Sequence, residues 1–407
     1  MEPTADLETS YRALFRIRAM GRILLGMALS RIAGSMLGVA IVLFTLNRFG
    51  SPSLAGLVTF ASTAPGLFIA PIVGALLDRH GRARLIILDQ LTAAGCLALI
   101  ATLAVAGALT PTLLVLIAAV AGLTAPLSSV GLRTLFPVIV PRHLWERVNA
   151  VDSNGYVVAT LIGPPTAGVI VQLLGGPQAL YAIAALYGVS ALVLLGVPEP
   201  PTDAPSGPLL MAAWDGLKYT LSNPTLRGLG IALSIQNVAW GIVTIALPVI
   251  LLRDLNLGAA VVGAVWAVSG VTGGVGALMA GRWKTQGRER TMLVWPMFGM
   301  AISVTLVLVS PTLPVIVAVM AVQGFLNGPM DVALFTLRQR RTDPAWLGRA
   351  FAVSMSFNFM GYPFGAALGG ILVGLGTGVA IGATVGITVL AAVAAWLMLP
   401  REARDAS

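Results

Sequence analysis

Four ionisable residues lie inside long apolar runs of this sequence, namely Arg31, Arg133, Asp152 and Asp331. A charged side chain in such a run is costly to bury, so residues of this kind usually serve a function. Arg133 and Asp152 lie nine and ten residues on either side of Arg142. An antiparallel turn at Arg142 would bring them to a similar depth. We therefore predict an Arg133–Asp152 salt bridge, structural or gating, with a role in substrate binding as the alternative.

Asp331 has no basic residue one turn away in its own apolar run. This predicts a carboxyl group that takes up and releases a proton. The alternative is a structural acid that pairs with Arg31 or bonds to Asn358. For Arg31 three roles stay open: attracting an anionic substrate, holding an acid's charge across a cavity, or extending to the nearer membrane surface. Asp89 is expected to pair with arginines of the neighbouring loop.

Uncharged polar and aromatic residues also occur near the middle of the apolar runs, mostly in the second half of the chain. A cavity with such a mixed lining suits bulky amphiphiles better than sugars, which need denser hydrogen bonding. The alternative for each residue alone is ordinary packing. With Arg31, the predicted cavity residues are Gln236, Asn237, Trp240, Trp266, Gln323, Asn327, Phe357, Asn358 and Tyr362.

The elements that must position these residues follow from composition. The chain has 407 residues, of which 57% are hydrophobic and only 10% charged, and its mean hydropathy is +0.90. A water-soluble surface needs about 25% charge, so a soluble enzyme is excluded. We count twelve apolar runs of about 20 residues, the length of a membrane-spanning helix. One cysteine and two histidines argue against a disulfide or a metal site, and no cofactor is expected.

Basic residues are distributed unevenly between the two sides of these spans. Of the loop and terminal lysines and arginines, 21 fall on the side of both termini and two, Arg48 and Arg253, on the other. Because positive loops stay in the cytoplasm, both termini are predicted to be cytoplasmic, in a multi-pass protein of the cell membrane. The net charge of +9 is thus a topology signal, and no nucleic-acid partner is expected.

The sequence repeats itself at a nearly constant offset. Gly74-Ala75-Leu76 recurs 202 residues later, and Arg147, Gly163 and Gly168 recur at the same offset. Two parallel six-span halves around a midplane site are therefore predicted. The expected divisions are an amphipathic segment at 1–22, a first half at 23–197, a cytoplasmic linker with an interfacial helix at 198–225, a second half at 226–400 and a cytoplasmic tail at 401–407.

The loop between spans two and three reads GALLDRHGRAR at residues 74–84. It resembles the G-x-x-x-D-R-x-G-R-[KR]-[KR] signature of the major facilitator superfamily, with Ala83 at a position that is usually basic. The resemblance implies an all-α membrane protein with twelve helices in two pseudo-symmetric halves. It also implies a gate whose contacts exist in one conformation and break in the other. The gating residues are Gly74, Asp78, Arg79, Gly81, Arg82 and Arg84.

Span five carries Gly163-Pro164 and Gly168, which resemble the antiporter motif of the family's drug and siderophore exporters, the branch of the enterobactin exporter and the macrolide efflux proteins. Small residues also recur every fourth position in spans two, five, eight and eleven, for example at Gly66, Gly270 and Gly365. In the resembled fold these four spans meet between the halves. We expect the small residues to form smooth stripes that let the halves rock, with static packing as the alternative.

These observations favour a secondary active transporter, specifically a proton-coupled, alternating-access exporter of amphiphilic small molecules such as a drug, a siderophore or another natural product. The alternatives on the same fold are an importer of a small nutrient and a lipid or lysolipid flippase. An enzyme is not expected, because no nucleophile or phosphate-binding arrangement is present. The expected partners are the substrate, protons and the bilayer, and the chain is expected to act as a monomer.

Overall fold

The computed structural model describes residues 10–198, 209–283, 287–343 and 346–399. Within these ranges it has twelve helices that are long and apolar enough to cross a membrane, which confirms the predicted number. Their bounds are Met20–Phe49, Pro52–His80, Arg82–Val105, Pro111–Ile139, Trp145–Leu174, Gly176–Leu194, Pro224–Val249, Ala259–Ala280, Glu289–Val309, Leu313–Arg340, Leu347–Phe359 continued by Gly361–Leu375, and Thr377–Met398. We number them spans 1 to 12.

The ends of the spans follow from local residue chemistry. Spans 2, 4 and 7 each begin with a capping side chain, from Ser51, Thr110 and Asn223, followed directly by a proline. The cap accepts backbone N–H groups of the first turn, and proline has no N–H that would need a partner there. Tight connections use glycine with a positive φ, as at Gly50 (63°) and Gly175 (99°), because only glycine adopts this conformation without strain.

Short connections make consecutive spans antiparallel, so the bundle has two ends. We call the end where span 1 starts and span 12 finishes the termini side, and the opposite end the distal side. Spans 1 to 6 form the first half and spans 7 to 12 the second. Span 7 ends in a π-helical turn at Ile250–Asp254 on the distal side.

Among the described residues, the buried apolar core joins the halves on the distal side. One large cluster there includes residues of both halves, for example Val171 of span 5 and Val262 of span 8. On the termini side the core is divided. One cluster around Ile23 and Leu135 belongs to the first half, and another around Leu229 and Leu334 belongs to the second. The apolar cores of the two halves are therefore joined at the distal end and separate at the termini end.

Two further helices lie on the termini side, outside the spans. A short helix at Tyr11–Arg16 buries Leu14 and exposes Phe15. A helix at Leu209–Ser222, the linker helix, exposes Met211 and Trp214. The rest of the predicted amphipathic segment, linker and tail, residues 1–9, 199–208 and 400–407, lies outside the described residues.

Candidate functional site

A buried ion pair joins span 1 to span 5 within the first half. The guanidinium of Arg31 donates to the carboxylate of Asp152 and, at 2.5 Å, to the backbone carbonyl of the same residue. It also lies over the Tyr156 ring, 3.7 Å from the ring centroid. The side chains of Arg31 and Asp152 are only 8% and 11% exposed, so each charge depends on the other for stabilisation.

Glycine makes room for this pair. A Cβ atom added at Gly155 would lie 2.9 Å from the Arg31 guanidinium, closer than normal packing allows. Asp152, Gly155 and Tyr156 are consecutive contacts along one face of span 5. This segment of span 5 thus holds Arg31 through the charge of Asp152, the space left by Gly155 and the aromatic ring of Tyr156.

The pair lies beside an open cavity of about 980 Å³ in the first half, toward the termini side. We call this the first-half cavity. Its lining combines hydroxyl groups and aromatic rings with small apolar residues. Its polar and aromatic lining residues are Ser30, Arg31, Ser35, Ser62, Asp89, Ser128, Ser129, Tyr156 and Tyr187. The sequence analysis missed both tyrosines and the serines, although two tyrosines in otherwise apolar spans were a readable signal.

Asp89 was expected to pair with loop arginines, and this expectation is wrong. Asp89 is 4% exposed, and its carboxyl group lies beside the side chains of Ser128 and Thr124 of span 4. It lies in the second turn of span 3, deep enough to face span 4 and not the loop.

For Arg31, the structure identifies a partner that the sequence analysis had not named. Asp331 was one suggested partner, but Asp152 is the acid in contact. The side chain of Arg133 lies outside the described residues, so the Arg133–Asp152 salt bridge stays a prediction.

A second, narrower cleft of about 560 Å³ lies in the second half, toward the distal side. Three of the predicted cavity residues line it, Gln236, Trp240 and Gln323, among valines, leucines and isoleucines. Gln323 donates to the Met300 carbonyl at 2.9 Å and to the Ser303 hydroxyl at 3.0 Å. The amide NH2 group of Gln323 is therefore already hydrogen-bonded to span 9.

The other predicted cavity residues of the second half mostly bind one another. Asn237 donates to the Asn358 carbonyl at 3.1 Å and so links spans 7 and 11. Trp266 packs edge-on against Trp240, with 5.3 Å between the ring centroids. Two more have contacts in the same half: Phe357 lies against Gly230, and Tyr362 lies beside Thr244.

These contacts correct the predicted location of the polar cavity. The second half was expected to supply most of it, because that half holds most of the mid-span amides. Instead, the buried ion pair and the wider cavity are in the first half.

Asp331 has a different environment from Asp152. Its side chain is exposed, and it accepts one hydrogen bond, at 2.9 Å, from Asn327 one turn earlier on span 10. Among the contacts described for this carboxylate there is no cationic partner. Its repeat-related position, Ser129, lines the first-half cavity.

The loop after span 2 is described in part. Gly81 ends span 2 with φ of +88°, a conformation that the predicted tight turn requires of glycine. Arg79 and Arg84 are exposed, whereas Arg82 is 8% exposed. The side-chain surroundings of Gly74 and Asp78 lie outside the described residues, so the gating contact of Asp78 stays a prediction.

The span 5 motif contacts both halves. Gly163 lies against span 1 of its own half, where an added Cβ would be 2.6 Å from the Cβ of Ser35. Gly168 lies against span 8 of the other half, where an added Cβ would be 2.5 Å from the carbonyl oxygen of Ala259. The carbonyl of Pro164 closely contacts Gly263 of span 8.

The small-residue stripes were expected to face the opposite half, but not all of them do. Gly66 packs against Gly122 of span 4, and Gly365 packs against Val238 of span 7, each within its own half. Gly270 does cross, against Thr160 of span 5. The described stripe glycines of spans 2, 5 and 11 therefore fasten each span to its own half, whereas the stripe of span 8 faces span 5.

The crossing contacts obey the internal repeat. Gly168 meets Ala259 at the start of span 8, and its counterpart Gly370 meets Pro52 at the start of span 2. In the same way Gly263 meets Pro164, and Gly56 meets Ala366, the repeat-related position of Pro164. All four lie on the distal side, and Arg253 adds a hydrogen bond of 2.7 Å to the Gly50 carbonyl there. We call these contacts the distal seal.

Known proteins resemble this chain over nearly its full length. An uncharacterized MFS-type transporter of Sinorhizobium fredii is 37% identical over 401 residues, covering 98% of this chain and 99% of that protein. The multidrug efflux pump Tap of Mycolicibacterium fortuitum is 27% identical, covering 86% and 88%. The enterobactin exporter EntS of Shigella boydii is 26% identical, covering 88% and 84%.

Solved structures share the fold. The nucleoside transporter NupG superposes with a TM-score of 0.75 at 16% identity, covering 94% of this chain and all of that one. The profile of the Major Facilitator Superfamily matches residues 23–238 and 229–407. With twelve spans in two halves and repeat-related contacts between them, the chain belongs to the Major Facilitator Superfamily of transporters.

Proposed function

We propose that this membrane protein is a proton-coupled exporter of amphiphilic small molecules that works by alternating access. The observation that carries the proposal is the first-half cavity, which combines tyrosine rings and hydroxyl groups with the Arg31–Asp152 ion pair and the buried acid Asp89. Such a site binds a bulky, partly apolar molecule through area and a few hydrogen bonds. The relatives named as a multidrug efflux pump and an enterobactin exporter support export.

The direction of loading follows from topology. With 21 loop and terminal basic residues on the termini side, that side is cytoplasmic and both ends of the chain lie in the cytoplasm of the cell. The distal seal then separates the cavity from the outside. A substrate would enter from the cytoplasm and leave after the seal opens. The chain acts as a monomer, because both halves of the pathway belong to one chain.

Asp331 is the proposed proton carrier. Its single described hydrogen bond comes from the neutral Asn327, so gain or loss of a proton breaks no ion pair. Asp152 is less suited, because protonating it would leave the buried Arg31 without a countercharge.

The two sequence motifs have proposed roles in the conformational change. Asp78, Gly74 and the arginines of the loop after span 2 hold the termini side closed when the distal side opens. Gly163, Pro164 and Gly168 form the part of span 5 that seals the distal side in the other state, as their contacts with spans 1 and 8 support. An Arg133–Asp152 contact would couple span 4 to this movement.

The function is tested in everted membrane vesicles that carry a pH gradient reported by a dye. A panel of cationic, neutral and anionic amphiphiles is added to vesicles with the wild type, Asp331→Asn or, as a control, Asp215→Asn in the linker helix. The proposal expects at least one compound to dissipate the gradient with the wild type and the control but not with Asp331→Asn. If no compound dissipates the gradient in this pattern, the export proposal is replaced by uptake of another solute or by lipid flipping.

A further inference from the structure

A groove lies on the outer surface between spans 9 and 12, and it shares no lining residue with the first-half cavity or the second-half cleft. It has a volume of about 800 Å³ and opens near the termini-side ends of both spans. Trp295 and Trp396 line it and are 68% and 50% exposed. Spans 9 and 12 pack on each other and on spans of their own half, so these rings face the surrounding lipid.

A cation lies in the same groove. The guanidinium of Arg290 donates to the Trp396 carbonyl, which fixes it to span 12, and its carbon atom lies 5.8 Å from the Trp396 ring centroid. Its Nε–H group has no hydrogen-bond partner among the described residues. The neighbouring acid, Glu289, is buried and paired with Arg340, so it does not neutralise Arg290.

We propose that this groove binds one anionic phospholipid of the cytoplasmic leaflet. Arginine suits a phosphate group because its fork of donors matches the phosphate oxygens. Tryptophan at the end of a span lies at the level of the lipid headgroups. Trp295, Phe298 and Val393 then contact the upper acyl chain, and Arg290 binds the phosphate. Basic pockets between spans on the cytoplasmic side bind acidic lipids in this way.

The test uses quenching of tryptophan fluorescence in lipid nanodiscs. Phosphatidylglycerol or phosphatidylcholine, brominated high on the acyl chain, is titrated into unlabelled phosphatidylcholine. The contribution of Trp295 to the quenched fluorescence is the difference between the signals of the wild type and Trp295→Phe. We expect half-maximal quenching at about a fivefold lower mole fraction of phosphatidylglycerol than of phosphatidylcholine.

Matched variants separate a site from general charge attraction. Arg290→Gln should abolish the preference, Arg290→Lys should keep most of it, and Arg288→Gln, which removes an exposed charge two residues away, should leave it unchanged. Equal loss in Arg288→Gln and Arg290→Gln would overturn the proposal. A competition in the wild type needs no variant: unbrominated phosphatidylglycerol should relieve the quenching more than phosphatidylcholine, and equal relief would also overturn it.

Discussion

In the first half, Gly163 of span 5 packs against Ser35 of span 1, and in the second half Gly365 of span 11 packs against Val238 of span 7. These contacts are related by the internal repeat, as are those of the distal seal. The interiors of the halves differ. The first has a buried ion pair beside a wide cavity, and the second has amides in a narrow apolar cleft. The two halves thus share their glycine-mediated backbone contacts but differ in the polar residues of their interiors.

This difference has a physical reason. A glycine contact brings two backbones together, so almost any side chain at that position would push the helices apart. A lining residue can change without moving its helix. The repeat therefore preserves the packing positions, while the lining residues are free to specialise.

The largest expected effect is at the ion pair. Arg31→Ala should lower the free energy of unfolding by about 3–5 kcal/mol, because it breaks a buried ion pair by removing one of its two partners. Gln236→Ala, at a partly buried amide of the second half, should cost about 1 kcal/mol or less. Unfolding of the purified variants in detergent measures both. Equal losses would contradict the difference between the halves.

The next effect concerns the distal seal. Gly168→Ala and Gly370→Ala should each weaken the closed distal side by about 1–3 kcal/mol, because the added methyl collides with backbone of the other half. Gly274→Ala is the matched control, since no described atom beyond its own helix backbone lies within 4 Å of its added Cβ.

Spin labels on Leu174→Cys and Leu375→Cys, in a Cys96→Ser background, report the distance across the distal side. We expect a longer distance to gain population in Gly168→Ala and Gly370→Ala and not in Gly274→Ala. An unchanged distribution in both seal variants would show that the seal does not hold the halves together.

A smaller effect is expected where span 7 begins. Asn223 caps this span and also donates to the Arg341 carbonyl at 2.8 Å. Asn223→Ala should therefore lower the free energy of unfolding by about 1 kcal/mol. The melting temperature in detergent would reveal this loss, and a melting temperature equal to that of the wild type would argue against the cap.

The smallest effect is at the corresponding start of span 1. Ala19 there has φ of 65° and no side-chain cap, so it is strained where Asn223 is stabilising. Ala19→Gly should raise the free energy of unfolding by about 0.5 kcal/mol, because glycine adopts this conformation without the steric cost. A lower melting temperature for Ala19→Gly would contradict this account.

Much of the fold could be predicted because a bilayer imposes one length on every span. The twelve apolar runs, the turn at Gly81 and the two related halves all follow from local sequence. The family could be recognised from residues 74–84 for the same reason, since the signature of this loop is a local pattern.

The contacts of the site could not be predicted, because they depend on how distant spans rotate against each other. Arg31 and Asp152 are 121 residues apart, and no local pattern tells which acid an arginine in another span meets. A stripe of small residues predicts close packing but not the partner, as Gly66 and Gly365 illustrate. Asp89 was misassigned because helix rotation turns it toward span 4.

The most direct test of the account compares Asp331→Asn with Asp152→Asn in proteoliposomes, using a compound found in the vesicle panel. The account predicts that Asp331→Asn loses accumulation driven by a pH gradient but still exchanges substrate across the membrane at equilibrium. Asp152→Asn, in which the Arg31 contact is weakened, should lose both. If Asp331→Asn still accumulates substrate, or loses exchange as well, the assignment of proton coupling to the second half is contradicted.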